Sequence, residues 1–148
     1  MPVRRASAVF YDELVGMDRH TVLLGGAHAA AEFDAVAAID VLGPAIHHVH
    51  AKDTFLDASM LPRRTRLENG PLDDLAGRSW WHVTLGYGHP EQWWRDFCYR
   101  LRLRGYDGWL SIEHEDAAIG RVDGVRRSVE LLRTVAPVDP PDYDVQAV

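Results

Sequence analysis

The sequence predicts an α/β fold built from parallel strand–helix units, and two observations lead to that prediction. Four apolar runs have the length and composition of strands, and amphipathic helical segments follow three of them. The strands recur roughly every thirty residues with helices between them, a spacing typical of βαβ units in a parallel sheet. The four predicted strands are Thr21–Gly25, Ala45–Ala51, Trp80–Leu85 and Trp109–Glu113.

The first two helices have clear start and stop signals. One begins after Asp34, a good N-cap, and ends at Gly43-Pro44. The next runs from Pro90, which suits the first helical position, to a stop at Gly105. Four apolar residues at i, i+3, i+4 and i+7 predict its buried face, namely Trp94, Phe97, Cys98 and Leu101.

The last predicted helix covers Asp123–Val135, with Val125, Val129 and Leu132 on its apolar stripe. Between the second and third strands, residues 57–77 show no clear period and are predicted to form a long loop with at most a helical turn. Residues 1–136 are expected to form one domain, and the proline- and aspartate-rich residues 137–148 a disordered tail.

Composition excludes several classes of protein. The 148 residues have a net charge of −6, which argues against nucleic-acid binding, since such proteins usually present a basic surface. No apolar run is long enough to span a bilayer. Cys98 is the only cysteine, so neither a disulfide framework nor a cysteine-based zinc site is expected. A soluble cytoplasmic protein with no membrane or nucleic-acid partner is predicted.

The stretch "IHHVHAKD" (Ile46–Asp53) is unusual for a strand because it holds three histidines and the only lysine in the chain, Lys52. Side chains alternate along a strand, so Ile46, His48 and His50 are predicted to share one face. In "WLSIE", Leu110 and Ile112 suit the helix-covered face, which leaves Ser111 and Glu113 on the other. His50 and Glu113 are therefore expected at equivalent heights on two strands.

Histidine and carboxylate together suit a divalent cation such as Mn²⁺, Mg²⁺, Co²⁺ or Zn²⁺. Two other interpretations compete with a metal site. A histidine in an apolar strand is often a hydrogen-bonded core residue, and an arginine could satisfy the charge of Glu113 in a salt bridge.

Four segments in order resemble one family: "HHVHAKD", "NG" at Asn69-Gly70, "LGYGHPEQWW" and "GYDGWLSIEHED". The series resembles the carboxyl-terminal half of the sugar phosphate isomerase/epimerase family, the xylose-isomerase-like TIM barrels. The likeness covers roughly Phe33–Val135. It implies a (β/α)₈ barrel, of which a chain of this length holds an incomplete part with four βα units, matching strands five to eight.

The resemblance also implies roles for single residues. His50 and Glu113 fall on metal-ligand positions, and Glu113 also falls on the position of a proton-transfer base. Substrate contacts are implied for His28, Lys52, Asp53 and His89. Where such proteins usually carry "DPSH", this chain reads "GGAH" (Gly25–His28), so glycine replaces the metal aspartate. The strand with the first metal glutamate is also missing, which leaves two of four expected ligands.

Three functions follow as expectations. The first is metal-assisted isomerisation or epimerisation of a small sugar or polyol through an enediolate, with the missing residues supplied by a homo-oligomer or a complementing half-barrel. The second is a truncated, non-catalytic remnant that binds a metal or a partner. The third is phosphodiester cleavage, since an endonuclease family shares the barrel, but the acidic balance disfavours it.

Overall fold

A computed structural model describes residues 22–25, 35–64, 70–71 and 73–142. Within them, strands and helices alternate along most of the chain, and short 3₁₀ turns lie at Gly43–Ala45 and Leu75–Gly77. The elements are β1 (Val22–Gly25), α1 (Ala35–Leu42), β2 (Val49–Leu56), β3 (Trp80–Val83), α2 (Glu91–Leu103), β4 (Leu110–Ile112) and α3 (Arg121–Val135).

Strand β2 is the centre of the sheet. Its first half pairs in parallel with β1, with Val22 opposite Val49. The same half pairs in parallel with β4, with Val49 opposite Leu110, so β1 and β4 lie on opposite sides of β2. Its second half, Asp53–Leu56, pairs with β3 in the antiparallel direction.

The antiparallel pairing corrects the prediction that all four strands are parallel and successive. Three of the described strands, β1, β2 and β4, are parallel, and β4 pairs directly with β2. A strand that pairs in parallel with the strand before it must be reached through a crossover connection, which is usually a helix. The described part of the connection from β2 to β3 contains turns and one 3₁₀ turn. The chain therefore comes back along the extended end of β2 in the opposite direction.

Strand β2 begins four residues later than predicted and continues through "KDTFL" to Leu56. Gly43 has a φ of +47°, and with Pro44 it forms a 3₁₀ turn that occupies the predicted start of the strand. Pairing with β3 keeps the charged and aromatic end of β2 extended. Val49 and Ala51 are 0% exposed and form the face of β2 that meets the helices.

Helix α2 agrees closely with its prediction. Pro90 is the residue before the helix rather than its first residue, and Gly105, with a φ of +77°, follows its end. All four predicted core residues, Trp94, Phe97, Cys98 and Leu101, are buried. Each large side chain buried in this way stabilises the fold by roughly 1.5–3 kcal/mol. Burial raises the pKa of the Cys98 thiol to about 12, so it stays neutral within the core.

The predicted apolar stripe of α3 is wrong in part. Val125 is 40% exposed, whereas Gly124, Ser128, Leu132 and Val135 are buried. One close approach and one hydrogen bond explain why small residues are buried here. Gly124 leaves room for the ring of His114, and the Ser128 hydroxyl accepts a hydrogen bond from the N–H of Leu85 (3.3 Å).

Beyond α3, the chain runs back along α2. Arg102 donates to the backbone carbonyls of Pro137 (2.6 Å) and Asp139 (2.9 Å). Residues 143–148 of the predicted disordered tail lie outside the described residues, so that disorder stays a prediction. Of the helices in the described ranges, none combines the length and apolarity needed to cross a bilayer.

Candidate functional site

The register of β2 and β4 brings three of the predicted site residues together, His50, Lys52 and Glu113. His50 lies opposite Ser111, and the N–H of Glu113, directly after β4, donates to the carbonyl of Ala51 (3.0 Å). Because Ala51 faces the core, His50 and Lys52 project from the other face of β2. Glu113 meets them there, at the carboxyl end of the parallel strands.

A polar cluster forms at this place from His50, Lys52, His82, Glu113 and Glu115. His50 Nδ1 lies 2.7 Å from Glu113 Oε1, and Lys52 Nζ lies 3.3 Å from Glu113 Oε2. Lys52 Nζ also lies 2.9 Å from Glu115 Oε2. The Lys52 side chain is 14% exposed, so its charge is largely removed from water and is balanced by the two carboxylates.

The contact between His50 and Glu113 is close but does not have the geometry of a hydrogen bond. His50 Nδ1 is buried and has no hydrogen-bond partner among the described residues. A buried ring nitrogen without a hydrogen bond, beside a carboxylate oxygen, suits two donors of a divalent cation. Within the described ranges, no three or more His, Cys, Asp or Glu side chains come close enough to hold a metal.

The neighbouring histidine of the same strand region has a different partner. His48 Nε2 lies 2.8 Å from the Ser111 hydroxyl. The rings of His48 and His50 contact edge to face, with centroids 4.8 Å apart. His48 and Ser111 thus fix the ring beside His50, which limits how far His50 can turn away from Glu113.

His82, on β3, belongs to the cluster, and the sequence did not indicate it. Its Nε2 lies 3.6 Å from Glu115 Oε2 and its Nδ1 lies 3.4 Å from the Thr54 hydroxyl. Burial lowers the pKa of His82 to about 4, helped by the charge of Lys52 and opposed by the carboxylates. At neutral pH the imidazole is therefore uncharged. Only the antiparallel return of β3, which the sequence does not reveal, brings it to β2.

Hydrogen bonds to Asp116 fix the segment after β4, which carries Glu113 and Glu115. Asp116 accepts hydrogen bonds from the N–H and hydroxyl of Thr84 (both 2.8 Å) and from the N–H of Ala118 (2.8 Å). Burial opposes ionisation of Asp116, but these hydrogen bonds prevail and lower its pKa. Burial likewise opposes ionisation of Glu115, and the contact with Lys52 prevails, so the pKa of Glu115 is also lowered.

Asp53 and His89, predicted to contact substrate, lie apart from the polar cluster. Asp53 is 0% exposed and its carboxylate accepts from the N–H groups of Gly86 (2.8 Å) and Gly88 (3.1 Å). It also lies 2.7 Å from His89 Nδ1 and accepts from the indole of Trp94 (3.4 Å). Asp53 thus anchors the loop after β3. His28 lies outside the described residues.

His89 is the more accessible member of that pair. Its side chain is 36% exposed, and its ring packs on Trp93 with centroids 4.2 Å apart. Asp53 and Lys52 are successive residues of a strand, so their side chains project to opposite faces. The structure therefore joins His50, Lys52 and Glu113 in one place and holds Asp53 and His89 in another.

Two comparisons with known proteins indicate the family of this chain. A family model described as "Xylose isomerase-like TIM barrel" matches residues 7–135, which include every element from β1 to α3. The uncharacterized protein YfiH of Bacillus subtilis (strain 168) is 38% identical over 100 residues, which are 68% of this chain and 32% of YfiH. The chain thus spans about a third of the length of the curated relative it matches.

Proposed function

Because the chain belongs to the xylose isomerase-like TIM-barrel family, we propose that it carries the proton-transfer residue and two metal donors of a sugar isomerase or epimerase. The family includes sugar isomerases and epimerases as well as other activities. The observation that supports this choice is the 2.7 Å approach of His50 Nδ1 to Glu113 Oε1, which leaves the buried nitrogen without a hydrogen bond.

In this proposal, His50 and Glu113 hold a divalent cation, Mn²⁺, Mg²⁺, Co²⁺ or Zn²⁺. Imidazole nitrogen and carboxylate oxygen are donors that these ions accept. When bound, the cation supplies stabilisation of the negative charge that develops on the substrate oxygens during proton removal. His48 and Ser111 limit the rotation of His50, so its nitrogen stays directed at Glu113.

Glu113 is also the base that moves the proton beside the substrate carbonyl. A carboxylate can accept a proton from carbon when its position is fixed. Lys52 Nζ, 3.3 Å from Glu113 Oε2, holds one oxygen of that carboxylate. Lys52 is in turn held by Glu115, so the orientation of Glu113 depends on both neighbours.

The remaining donors and the opposing base are proposed to come from a second copy of the chain or from a complementing half-barrel. Two donors alone bind a divalent cation weakly, and epimerisation requires a base on each side of the reacting carbon. Misplacement of the substrate by about 1 Å can reduce the rate roughly a hundredfold. The substrate class that fits is a small sugar or polyol, and the protein is expected to act in the cytoplasm.

The test is solvent exchange of the proton beside the carbonyl. The full chain is incubated in D₂O with ketohexoses and excess Mn²⁺, alone and with the part of YfiH outside the 100 matched residues. Deuterium incorporation, followed by NMR, is expected with the added segment and is expected to be lost in Glu113→Gln. Glu130→Gln, at an exposed glutamate of α3, is the matched control. Exchange that survives Glu113→Gln would refute the role of Glu113.

A second candidate function is supported by Lys52. Its ammonium lies within 3.3 Å of both cluster glutamates, and it compensates one of their two negative charges without any metal. A non-catalytic remnant of the barrel that binds a partner would need only this ion-paired arrangement. It predicts no exchange under any of the conditions above and a Mn²⁺ affinity that is unchanged by His50→Ala.

A further inference from the structure

Trp109 is the most exposed Phe, Tyr or Trp of the described ranges, with 84% of its surface accessible. Two contacts fix the turn that carries it. The Tyr106 hydroxyl donates to the backbone carbonyl of Trp109 (2.8 Å). Gly108 lies so close to the Tyr106 ring that a Cβ there would collide with it. The turn thus presents the indole outward in a defined position, directly before β4.

A cavity of about 310 Å³ lies beside Trp109, between α2, the start of β4 and the segment after α3. Most of its lining is apolar and includes Cys98, Leu101, Leu110, Pro137 and Val138. Arg102 fixes the side formed by the segment after α3, because its Nη2 donates to the carbonyls of Pro137 (2.6 Å) and Asp139 (2.9 Å). The cavity is thus preformed, and its volume suits one large side chain.

We infer that this surface is the interface of a twofold-symmetric dimer, in which Trp109 of each copy fills the cavity of the other. In a twofold interface both copies use the same patch, so that patch must carry both a projecting group and the cavity that receives it. The surface around Trp109 carries the two side by side, and the two indole rings would lie next to each other at the symmetry axis. A large aromatic side chain buried at the centre of an interface contributes much of its binding energy.

The charges that line the cavity are complementary to a second copy. Asp107 lies on the projecting turn with Trp109, whereas Arg102 lies on α2, and both line the cavity. Among the described residues, Arg102 uses only Nη2 in hydrogen bonds, so its Nε and Nη1 can still donate. When Trp109 of one copy enters the cavity of the other, it brings Asp107 toward Arg102. Opposite charges that meet across an interface favour the correct pairing of the two surfaces.

The buried area indicates a dimer of moderate affinity. Each inserted indole buries about 150–250 Å² of its own surface and a comparable area of the cavity, so two insertions bury roughly 600–1,000 Å². The exposed Pro137 and Val138 add to this area at the edge of the cavity. The total then approaches the roughly 1,200 Å² at the lower end of specific interfaces, and a Kd on the order of 10 µM is expected.

The dimer is separate from the proposed function. Trp109 directly precedes β4 and Glu113 directly follows it, so the two lie about 13 Å apart along the strand. A second copy at Trp109 therefore leaves the polar cluster open and does not supply its missing donors.

Sedimentation equilibrium of the full chain, from about 1 to 500 µM, tests the inference. A monomer–dimer equilibrium is expected, and Trp109→Ala should weaken it at least about thirtyfold, as for other central aromatic residues of interfaces. Val122→Ala, which truncates an apolar side chain of α3 that is 86% exposed, should leave the equilibrium unchanged. Asp107→Arg, which opposes Arg102 with a like charge, should weaken the dimer roughly tenfold, whereas Asp73→Arg should not.

The inference is overturned if the chain stays monomeric over this range, or if the dimer is equally strong in Trp109→Ala or in Asp107→Arg. Thermal unfolding shows whether each variant is folded, and Trp109→Phe, which keeps an aromatic ring, should retain the dimer to within about tenfold. Because the dimer requires neither metal nor substrate, its absence would leave the proposed function intact. A Trp109-dependent dimer without deuterium exchange would refute the proposed function alone.

Discussion

Lys52 and Asp53 are neighbours in the chain, and the structure gives them opposite surroundings. Lys52 projects from the open face of β2 and contacts Glu113 and Glu115. Asp53 projects toward α2, is 0% exposed, and receives hydrogen bonds from the loop after β3. Both residues come from one motif, "AKD". Its two charged residues therefore belong to different parts of the molecule.

The difference shows that two successive residues of one strand, on opposite faces, can serve different purposes, one in the proposed site and one in the stability of the fold. Lys52 is in the polar cluster, where a change is expected to affect chemistry more than folding. Asp53 replaces water as the hydrogen-bond acceptor for several buried donors, so a change there is expected to affect folding first. Four substitutions or conditions test this contrast, beginning with the residue whose loss leaves most donors unpaired.

Asp53→Ala is expected to have the largest effect. It leaves the N–H groups of Gly86 and Gly88 and the indole of Trp94 without their acceptor. Unpaired buried donors are unfavourable by roughly 1–3 kcal/mol each, and partial relaxation would limit the total to about 3–5 kcal/mol. The measurement is urea-induced unfolding of the full chain followed by tryptophan fluorescence.

Asp53→Asn and Asp73→Ala serve as comparisons for that experiment. Asparagine keeps one acceptor oxygen, so an intermediate loss of stability is expected, and Asp73 is an exposed aspartate of the loop before β3. If Asp53→Ala unfolds at the same urea concentration as Asp73→Ala, Asp53 does not anchor the loop.

The next effect concerns the pH dependence of stability through His82. Its pKa is about 4 in the folded chain, against 6.5 as its ordinary value, so between these pH values the unfolded chain binds more protons. Stability from this residue is fully present above pH 6.5 and decreases as the pH falls toward 4, by up to about 3 kcal/mol. Urea unfolding at a series of pH values measures it.

His82→Gln should flatten this dependence, because glutamine does not titrate. Val41→Gln, at a residue of α1 that is 85% exposed and does not titrate, should leave the dependence as it is in the unchanged chain. Parallel curves for the unchanged chain and His82→Gln would show that the pKa of His82 is the same in the folded and unfolded chain, which would contradict its lowering by burial.

Gly124→Ala is expected to destabilise the chain by up to about 2 kcal/mol. A Cβ at this position would collide with the ring of His114, and such overpacking usually costs about 1–3 kcal/mol, more than the roughly 1 kcal/mol that alanine gains in a helix. The double variant Gly124→Ala/His114→Ala should be more stable than the sum of the single changes predicts. Thermal unfolding of the three variants measures this, and strict additivity would contradict the proposed contact.

Local patterns predicted the helices better than the sheet. Proline, glycine and the spacing of apolar residues located α2 and its buried face, because those signals depend on neighbours within a few residues. The face of α3 was predicted less well, since contacts with His114 and Leu85 from other elements bury Gly124 and Ser128. Nothing in the local pattern of α3 records those contacts.

The sequence likewise predicted only part of the site. Alternation along the strands placed His50 and Glu113 on one side, and the register of β2 and β4 brings them together. His82 was missed because it reaches Glu115 only through the antiparallel pairing of β3, which depends on where the chain goes between the strands. The substrate contact predicted for Asp53 stays a prediction, and the structure adds that its buried carboxylate accepts hydrogen bonds from the loop after β3.

The smallest effect on stability is expected for Lys52→Met, the substitution that completes the comparison with Asp53. The ion pairs of Lys52 involve a Glu113 side chain that is 31% exposed and a Glu115 side chain that is 57% exposed. Pairs of this kind usually contribute about 0–1 kcal/mol, and methionine keeps the apolar length of the side chain. Urea unfolding should therefore show a change below about 1 kcal/mol, several times less than for Asp53→Ala.

The same substitution should nevertheless change the electrostatics of the polar cluster. Lys52 is what lowers the pKa of Glu115 against the opposing effect of burial, so Lys52→Met should raise that pKa. An NMR titration of the side-chain carboxyl carbons measures it, with Arg126→Met, beside Glu130 on α3, as the control that leaves Glu115 unaffected. A large loss of stability with an unchanged pKa of Glu115 would reverse the contrast, and would make Lys52, like Asp53, a residue that holds the fold together.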